Sequence, residues 1–129
     1  MAEPGQGFYP YQAGIDGYGN GGFRFANMSH RGSLLCLPTG MHKWDVASPA
    51  EITFESLQPV FEAADKIDVL LIGLGKDVVG FPKPIREALR ERGIIVEAIA
   101  TGGAVRTYNI LLGEDRAVGA AFIAVDSIK

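Results

Sequence analysis

Two glycine-containing segments follow apolar runs that the sequence predicts to be buried strands, and polar and cationic side chains stand close behind both. Gly73-Leu-Gly75 precedes Lys76, and Thr101-Gly-Gly103 precedes Arg106 and Asn109. In an open α/β sheet such strand ends meet in one crevice. Thr101 can cap the helix that follows, and amides, a guanidinium and an ammonium group can together hold an anion. The predicted anion-binding set is Gly73, Gly75, Lys76, Thr101, Gly102, Gly103, Arg106 and Asn109.

The same residues also suit a structural role, which is the preferred interpretation. Gly102 and Gly103 would permit close packing of the helix on the sheet, and Arg106 would pair with a nearby acid. Arg106 and Asn109 lie three apart and share one helical face in either case. The sequence leaves both interpretations open.

A dinucleotide site is excluded at the first of these segments. Gly73-Leu-Gly75 follows a strand, and Glu97 lies about 20 residues further on, as that motif requires. The motif also needs a third glycine and a helix that begins at once, so that its first amides hold the pyrophosphate. Residues 76–84 instead contain Pro82 and Pro84. The phosphate-binding loop pattern before a lysine is absent too, so we predict no cofactor.

Other reactive side chains are few. Cys36 is the single cysteine and stands in Leu34-Leu-Cys-Leu37, which is typical of a buried apolar residue. His30 and His42 lack a second ligand at metal-binding spacing, and no Gly-x-Ser-x-Gly nucleophile motif is present. We therefore predict no metal site and no catalytic residues.

Length and composition favour one globular protein. The chain has 129 residues, 47% of them hydrophobic, with 17 glycines and a formal charge of −3. This charge gives no indication of nucleic-acid binding. The N-terminus lacks the pattern of a secretory signal, and no apolar stretch approaches membrane-spanning length. We expect a soluble cytoplasmic protein.

The predicted elements divide the chain into a flexible tail at residues 1–14 and a single α/β domain at 15–129. The glycine- and tyrosine-rich start is typical of a solvated segment. Strands are predicted at 23–25, 33–37, 44–46, 52–54, 69–72, 94–99 and 117–125, with a loop at 26–32. Helices are predicted at 56–64, with Ser56 as the cap, at 85–92, ended by Gly93, and at 102–112.

The order of these elements indicates an α/β architecture. A helix separates the strands at 69–72 and 94–99, so the two strands should be parallel and joined by a right-handed crossover. The earlier strands should form an antiparallel layer that leans against this unit.

Five segments in this order resemble a known family: Gly22-Phe-Arg-Phe25, Gly32-Ser-Leu-Leu35, Trp44, Leu71-Ile-Gly-Leu-Gly75 and the stretch 101–112. The family comprises small single-domain proteins and includes a mitochondrial respiratory complex I assembly factor and bacterial and archaeal relatives of unknown function. The resemblance covers roughly residues 15–125, and Arg106-Thr-Tyr-Asn109 is its most specific piece. It implies a three-layer α/β domain with a central mixed, mostly parallel sheet, helices and an additional N-terminal antiparallel β-layer.

Two positions depart from the family pattern. Ala100 stands where members often carry an acidic residue, and Val105 stands where they often carry a cysteine. Thiol chemistry at residue 105 is therefore ruled out, and an acid–base role at residue 100 loses its carboxylate. The resemblance carries over no established catalytic residue.

These observations favour a non-enzymatic accessory domain that binds a protein partner, in the assembly of a respiratory complex. The alternative is a protein, or a weak enzyme, that binds an anionic small molecule in the crevice at Gly73–Gly75 and Thr101–Arg106. The sequence does not determine the oligomeric state, and exposed apolar positions around Phe81 could support a homodimer.

Overall fold

The computed structural model describes residues 8–76 and 80–126. Its strands are β1 (Phe8–Tyr9), β2 (Gly17–Gly19), β3 (Gly22–Phe25), β4 (Met28–Arg31), β5 (Ser33–Leu37), β6 (Gly40–Trp44), β7 (Val69–Gly73), β8 (Ile95–Ile99) and β9 (Val118–Phe122). Its helices are α1 (Gln58–Glu62), α2 (Lys83–Glu91) and α3 (Thr101–Gly113), and short 3-10 turns occupy Pro49–Glu51, Glu55–Leu57 and Ala64–Lys66.

The central sheet has six strands in the order β1-β6-β5-β9-β7-β8. Strand β7 runs parallel to β8 and β9, which confirms the predicted parallel pair on either side of α2. Strand β5 runs antiparallel to both β6 and β9. The sheet is therefore mixed, as expected, but its antiparallel share is larger than in the mostly parallel sheet that we predicted.

A separate antiparallel sheet, β2-β3-β4, forms the additional β-layer. Its inner residue Phe23 contacts Phe122 of β9, with 5.7 Å between the ring centroids. Tyr108 of α3 meets the same Phe122 ring edge-on at 5.5 Å. This small sheet and α3 thus cover the same face of the central sheet.

Strand β7 is buried on both faces, which explains its continuous apolar run. Leu70 and Ile72 belong to one core cluster, with Ile85 and Leu89 of α2. Leu71 belongs to the other cluster, beneath α3 and the small sheet. Helices therefore lie on both faces, and the three-layer prediction is confirmed in its main features.

Several local predictions were wrong. Residues 28–31, predicted as loop, form β4, because Ala26 and Asn27 adopt positive φ and complete a tight turn from β3. The predicted antiparallel strand at 33–37 joins the central sheet through β9. Residues 52–54 form no strand and lie between two 3-10 turns. An alternating pattern this short did not distinguish strand from turn.

Residues 8–13, which we expected in a solvated tail, lie along the domain. Strand β1 pairs with β6, and Tyr9 lies opposite Met41. The Gln12 side chain donates to the carbonyl of Val118 at 2.7 Å. Residues 1–7 of the predicted tail lie outside the described residues, and the division into tail and domain at residue 14 stays a prediction.

Phe81 is buried in the core, which corrects the expectation that it marks an exposed apolar surface for a homodimer. The Arg86 guanidinium lies over the Phe81 ring, 5.6 Å from the centroid. Among the described residues, no helix combines the length and apolarity needed to cross a membrane.

Candidate functional site

Thr101 occupies the point where three strand ends meet. It is the first residue of α3, and the N-cap position before it belongs to Ala100, which makes no side-chain cap hydrogen bond. Its hydroxyl instead donates to the carbonyl of Ile123 at 2.7 Å and accepts from the N–H of Gly75 at 2.9 Å. The predicted helix cap is therefore wrong, because Thr101 lies inside the helix and its hydroxyl joins the ends of β7 and β9.

The glycines at this junction are closely covered. A Cβ atom added to Gly73 would lie 3.0 Å from the Thr101 Cα atom and 3.1 Å from the Phe122 ring. One added to Gly102 would lie 2.5 Å from the hydroxyl oxygen of Tyr18, and one added to Gly103 would lie 3.2 Å from Ile99. Gly73, Gly102 and Gly103 therefore permit close packing, and Tyr18 covers the first turn of α3.

The two residues at the end of the Arg106-Thr-Tyr-Asn109 motif hold the N-terminal segment. The Asn109 side chain accepts from the N–H of Ile15 at 2.8 Å and donates to the carbonyl of Ile15 at 2.9 Å. The Tyr108 hydroxyl donates to the carbonyl of Ala13 at 2.7 Å. Asn109 therefore has a structural role, because its side-chain amide hydrogen-bonds to both backbone groups of Ile15.

Arg106 lies on the exposed side of α3. The predicted pairing with a local acid does not occur in the described part of the chain, where Lys43 and Asp45 form the ion pair, at 3.5 Å. The structure thus supports neither structural pairing of Arg106 nor its convergence with Lys76 in one crevice.

A cleft lies at the ends of β7, β9 and β6 and has a volume of about 920 Å³. Of the predicted site residues, Gly75 and Lys76 line it; the others do not. We call it the strand-end cleft. Its further lining includes Trp44, Val46, Pro49 and Val125, together with the charged residues Lys43, Asp45, Glu51 and Asp126. Two lysines thus face three carboxylates, so the lining as a whole does not favour an anion.

A second concave surface of about 530 Å³ lies on the opposite side of the central sheet from α3, between α1, α2 and the preceding 3-10 turn. Its lining, here called the Phe54 groove, is Phe54, Glu55, Gln58, Phe61, Glu62, Ala88, Glu91 and Arg92. The sequence reasoning missed this groove, because Phe54 was assigned to a strand. The available signal was an aromatic residue between Thr53 and Ser56, two residue types that often stabilise turns.

The buried reactive groups are shielded from solvent. Cys36 is fully buried, as predicted, and burial raises the pKa of its thiol far above the ordinary range. Burial also raises the pKa of the Tyr108 hydroxyl. Neither group is poised as a nucleophile. Within residues 8–76 and 80–126, no group of three His, Cys, Asp or Glu side chains is placed to hold a metal ion.

The sequence is similar to a family of known proteins and to individual relatives within it. A family model described as "protein of unknown function (DUF498/DUF598)" matches residues 15–123. An uncharacterized protein of Rhodobacter capsulatus is 38% identical over 109 residues, which cover 84% of this chain and 82% of that protein. The mouse "NADH dehydrogenase [ubiquinone] 1 alpha subcomplex assembly factor 3" is 32% identical over 118 residues. That alignment covers 92% of this chain and 64% of the mouse protein.

Solved structures share the fold. A crystal structure described as an outer membrane protein from Bartonella henselae is 49% identical, with a TM-score of 0.88 over 92% of this chain and 99% of that one. The solution structure of a Rhodopseudomonas palustris protein is 50% identical, with a TM-score of 0.81 over 97% of this chain and 90% of that one.

Proposed function

The chain belongs to the DUF498/DUF598 family of proteins of unknown function, and we propose that it is a non-enzymatic accessory domain that binds a protein partner in the assembly of respiratory complex I. The observation that carries the proposal is the alignment of 92% of this chain with a relative named as an assembly factor of that complex. This chain spans less than two thirds of the mouse protein, so its share of that protein's role belongs to the proposal. A cytoplasmic location belongs to it as well.

The use of polar side chains in the fold supports a binding role over catalysis. The hydroxyls of Thr101 and Tyr108 and the amide of Asn109 all bond to backbone groups of other segments. A catalytic group must reach a substrate within hydrogen-bond distance. Because these three side chains hydrogen-bond within the fold, we expect the function to depend on residues exposed at the surface.

A gene deletion tests the proposal. In cells that assemble respiratory complex I, removal of the gene should lower the amount of assembled complex on native gels, and the full chain should restore it. Ile110→Ser serves as a control variant, because Ile110 is already 54% exposed and its change should leave folding intact. A deletion strain with a normal amount of assembled complex would contradict the proposed role.

A second candidate function is binding of an anionic small molecule, or weak catalysis on one, in the strand-end cleft. The observation that favours it is the size of the cleft, which lies in the usual range for ligand sites. Although carboxylates outnumber lysines in the lining as a whole, Lys76 supplies a cationic group at the end of β7. A thermal-shift screen of phosphate- and carboxylate-bearing compounds tests it. Lys76→Ala should abolish any shift, whereas Arg106→Ala should not.

The opposite pattern, with loss only in Arg106→Ala, would place the site beside α3 and outside the strand-end cleft. If no compound stabilises the unaltered protein, this second candidate fails.

A further inference from the structure

We propose that the Phe54 groove binds a partner segment that carries lysine or arginine side chains around one large apolar anchor. This inference rests on the proposed function and identifies the surface and the class of partner segment. Phe54 is 49% exposed, and its ring lies against that of Phe61, with 6.0 Å between centroids. Large aromatic surface left open in a concave site is typical of protein interfaces.

The loop that presents Phe54 is held in place before any partner arrives. Thr53 and Ser56 exchange hydrogen bonds: each side-chain oxygen accepts from the backbone N–H of the other residue, at 2.9 and 3.0 Å. Trp44 anchors the same loop to the core, because its indole N–H donates to the carbonyl of Ser56 at 2.8 Å. Little ordering entropy is then lost when the groove is filled.

The charges around the groove define the partner. Glu55, Glu62 and Glu91 contribute three carboxylates to the lining, and Arg92 contributes one guanidinium. That guanidinium is already engaged, since it lies 5.5 Å from the centroid of the Phe61 ring and donates to the Phe61 carbonyl at 3.4 Å. The surplus of carboxylates favours a cationic partner and disfavours nucleic acid or an anionic lipid surface.

The shape of the groove favours a peptide segment. Two aromatic rings and Ala88 supply apolar lining, and three carboxylates line the same groove. Amphipathic helices and short extended segments bind such grooves by inserting one or a few apolar side chains, with charged neighbours at the rim. The occupant is therefore a basic, amphipathic segment of a protein.

Photo-crosslinking identifies the occupant directly. The full chain carrying benzoyl-phenylalanine in place of Phe54 would be expressed in cells that lack the native copy, and captured segments would be mapped by mass spectrometry. The matched control carries the same probe at Ile110, which is similarly exposed but lies on α3, on the other side of the sheet. We expect position 54, and not position 110, to capture a basic segment with an aromatic or large aliphatic residue.

A synthetic peptide with the captured sequence then measures the contribution of each feature. Glu62→Lys and Phe54→Ser should each weaken its binding at least about tenfold, the scale of one lost charge pair or anchor. Glu114→Lys, the same charge change at the exposed end of α3, should leave the affinity within about twofold, because distant surface charges are screened. Added salt should weaken the unaltered pair.

Other outcomes overturn the inference. Capture of a second copy of this chain, a lipid or an acidic segment at position 54 contradicts it, as does peptide binding insensitive to both groove variants. If position 110 captures a partner and position 54 captures none, the groove assignment is wrong while the proposed function stands. If neither captures a protein and the deletion strain assembles complex I normally, both fail.

Discussion

The side-chain amide of Asn109 brackets the backbone of Ile15, accepting from its N–H at 2.8 Å and donating to its carbonyl at 2.9 Å. The asparagine side chain thereby satisfies both backbone hydrogen-bonding groups of Ile15, as a neighbouring strand would, and Ile15 is itself buried. This pairing gives the end of the Arg106-Thr-Tyr-Asn109 motif a structural explanation, because the motif fastens the N-terminal segment to α3.

Asn109→Ala should destabilise the protein by about 1–3 kcal/mol, because two backbone groups of Ile15 lose their partner in a partly buried site. Urea unfolding measures this change, with the exposed neighbour Ile110→Ser as the control. If Asn109→Ala instead left stability unchanged and removed binding of an anionic compound, Asn109 would be a ligand residue after all.

Thr101→Val should cost about 2–3 kcal/mol, since it keeps the shape of the side chain and removes the hydroxyl that joins Gly75 to Ile123. Thr101→Ser keeps the hydroxyl and should recover most of that loss. Equal stabilities for the two variants would show that the hydroxyl contributes little at this junction.

Gly73→Ala should destabilise by about 1–3 kcal/mol, because the added methyl group meets Thr101 and Phe122 in a packed core. Gly113→Ala is the matched control: nothing lies within 4 Å of its added Cβ, and alanine is the better helix former. Thermal unfolding should therefore separate the two variants in opposite directions, and equal melting temperatures would argue against close packing at Gly73.

His42 should make stability depend on pH below neutrality. Burial lowers its pKa beneath the ordinary value of about 6.5, so near that pH the unfolded chain binds a proton that the folded chain does not. The free energy of unfolding should then fall as the pH drops through about 6.5 and level off below the folded pKa.

His42→Gln removes this proton uptake. Urea unfolding of both proteins between about pH 8 and about pH 5 should show a stability difference that changes with pH in this sense. A constant difference would mean that the pKa of His42 is the same in the folded and unfolded states.

The elements that the sequence predicted well were those with long apolar or periodic patterns. The runs around Leu71 and Val96 gave the parallel pair, and Ile85 and Leu89 gave the buried face of α2. The errors fell at short alternations such as Ile52 and Phe54, where turn and strand share a pattern.

The candidate site was predicted only in part, because its geometry depends on distant segments. Gly75 and Lys76 do line the strand-end cleft. No local pattern indicates, however, that Tyr18 covers Gly102 or that the backbone of Ile15 hydrogen-bonds to the side chain of Asn109. These contacts join residues more than 80 positions apart, and only the complete fold brings them together.

The sequence by itself determined the α/β class, the burial of Cys36 and the absence of a dinucleotide motif, because each depends on residues that are adjacent in the chain. Only the tertiary structure decided which polar side chains remain free. Thr101 and Asn109 could have faced a ligand, but packing places buried backbone groups opposite them, and burying such groups without a hydrogen bond is costly. Packing likewise leaves Phe54 exposed among carboxylates on the opposite side of the sheet from α3.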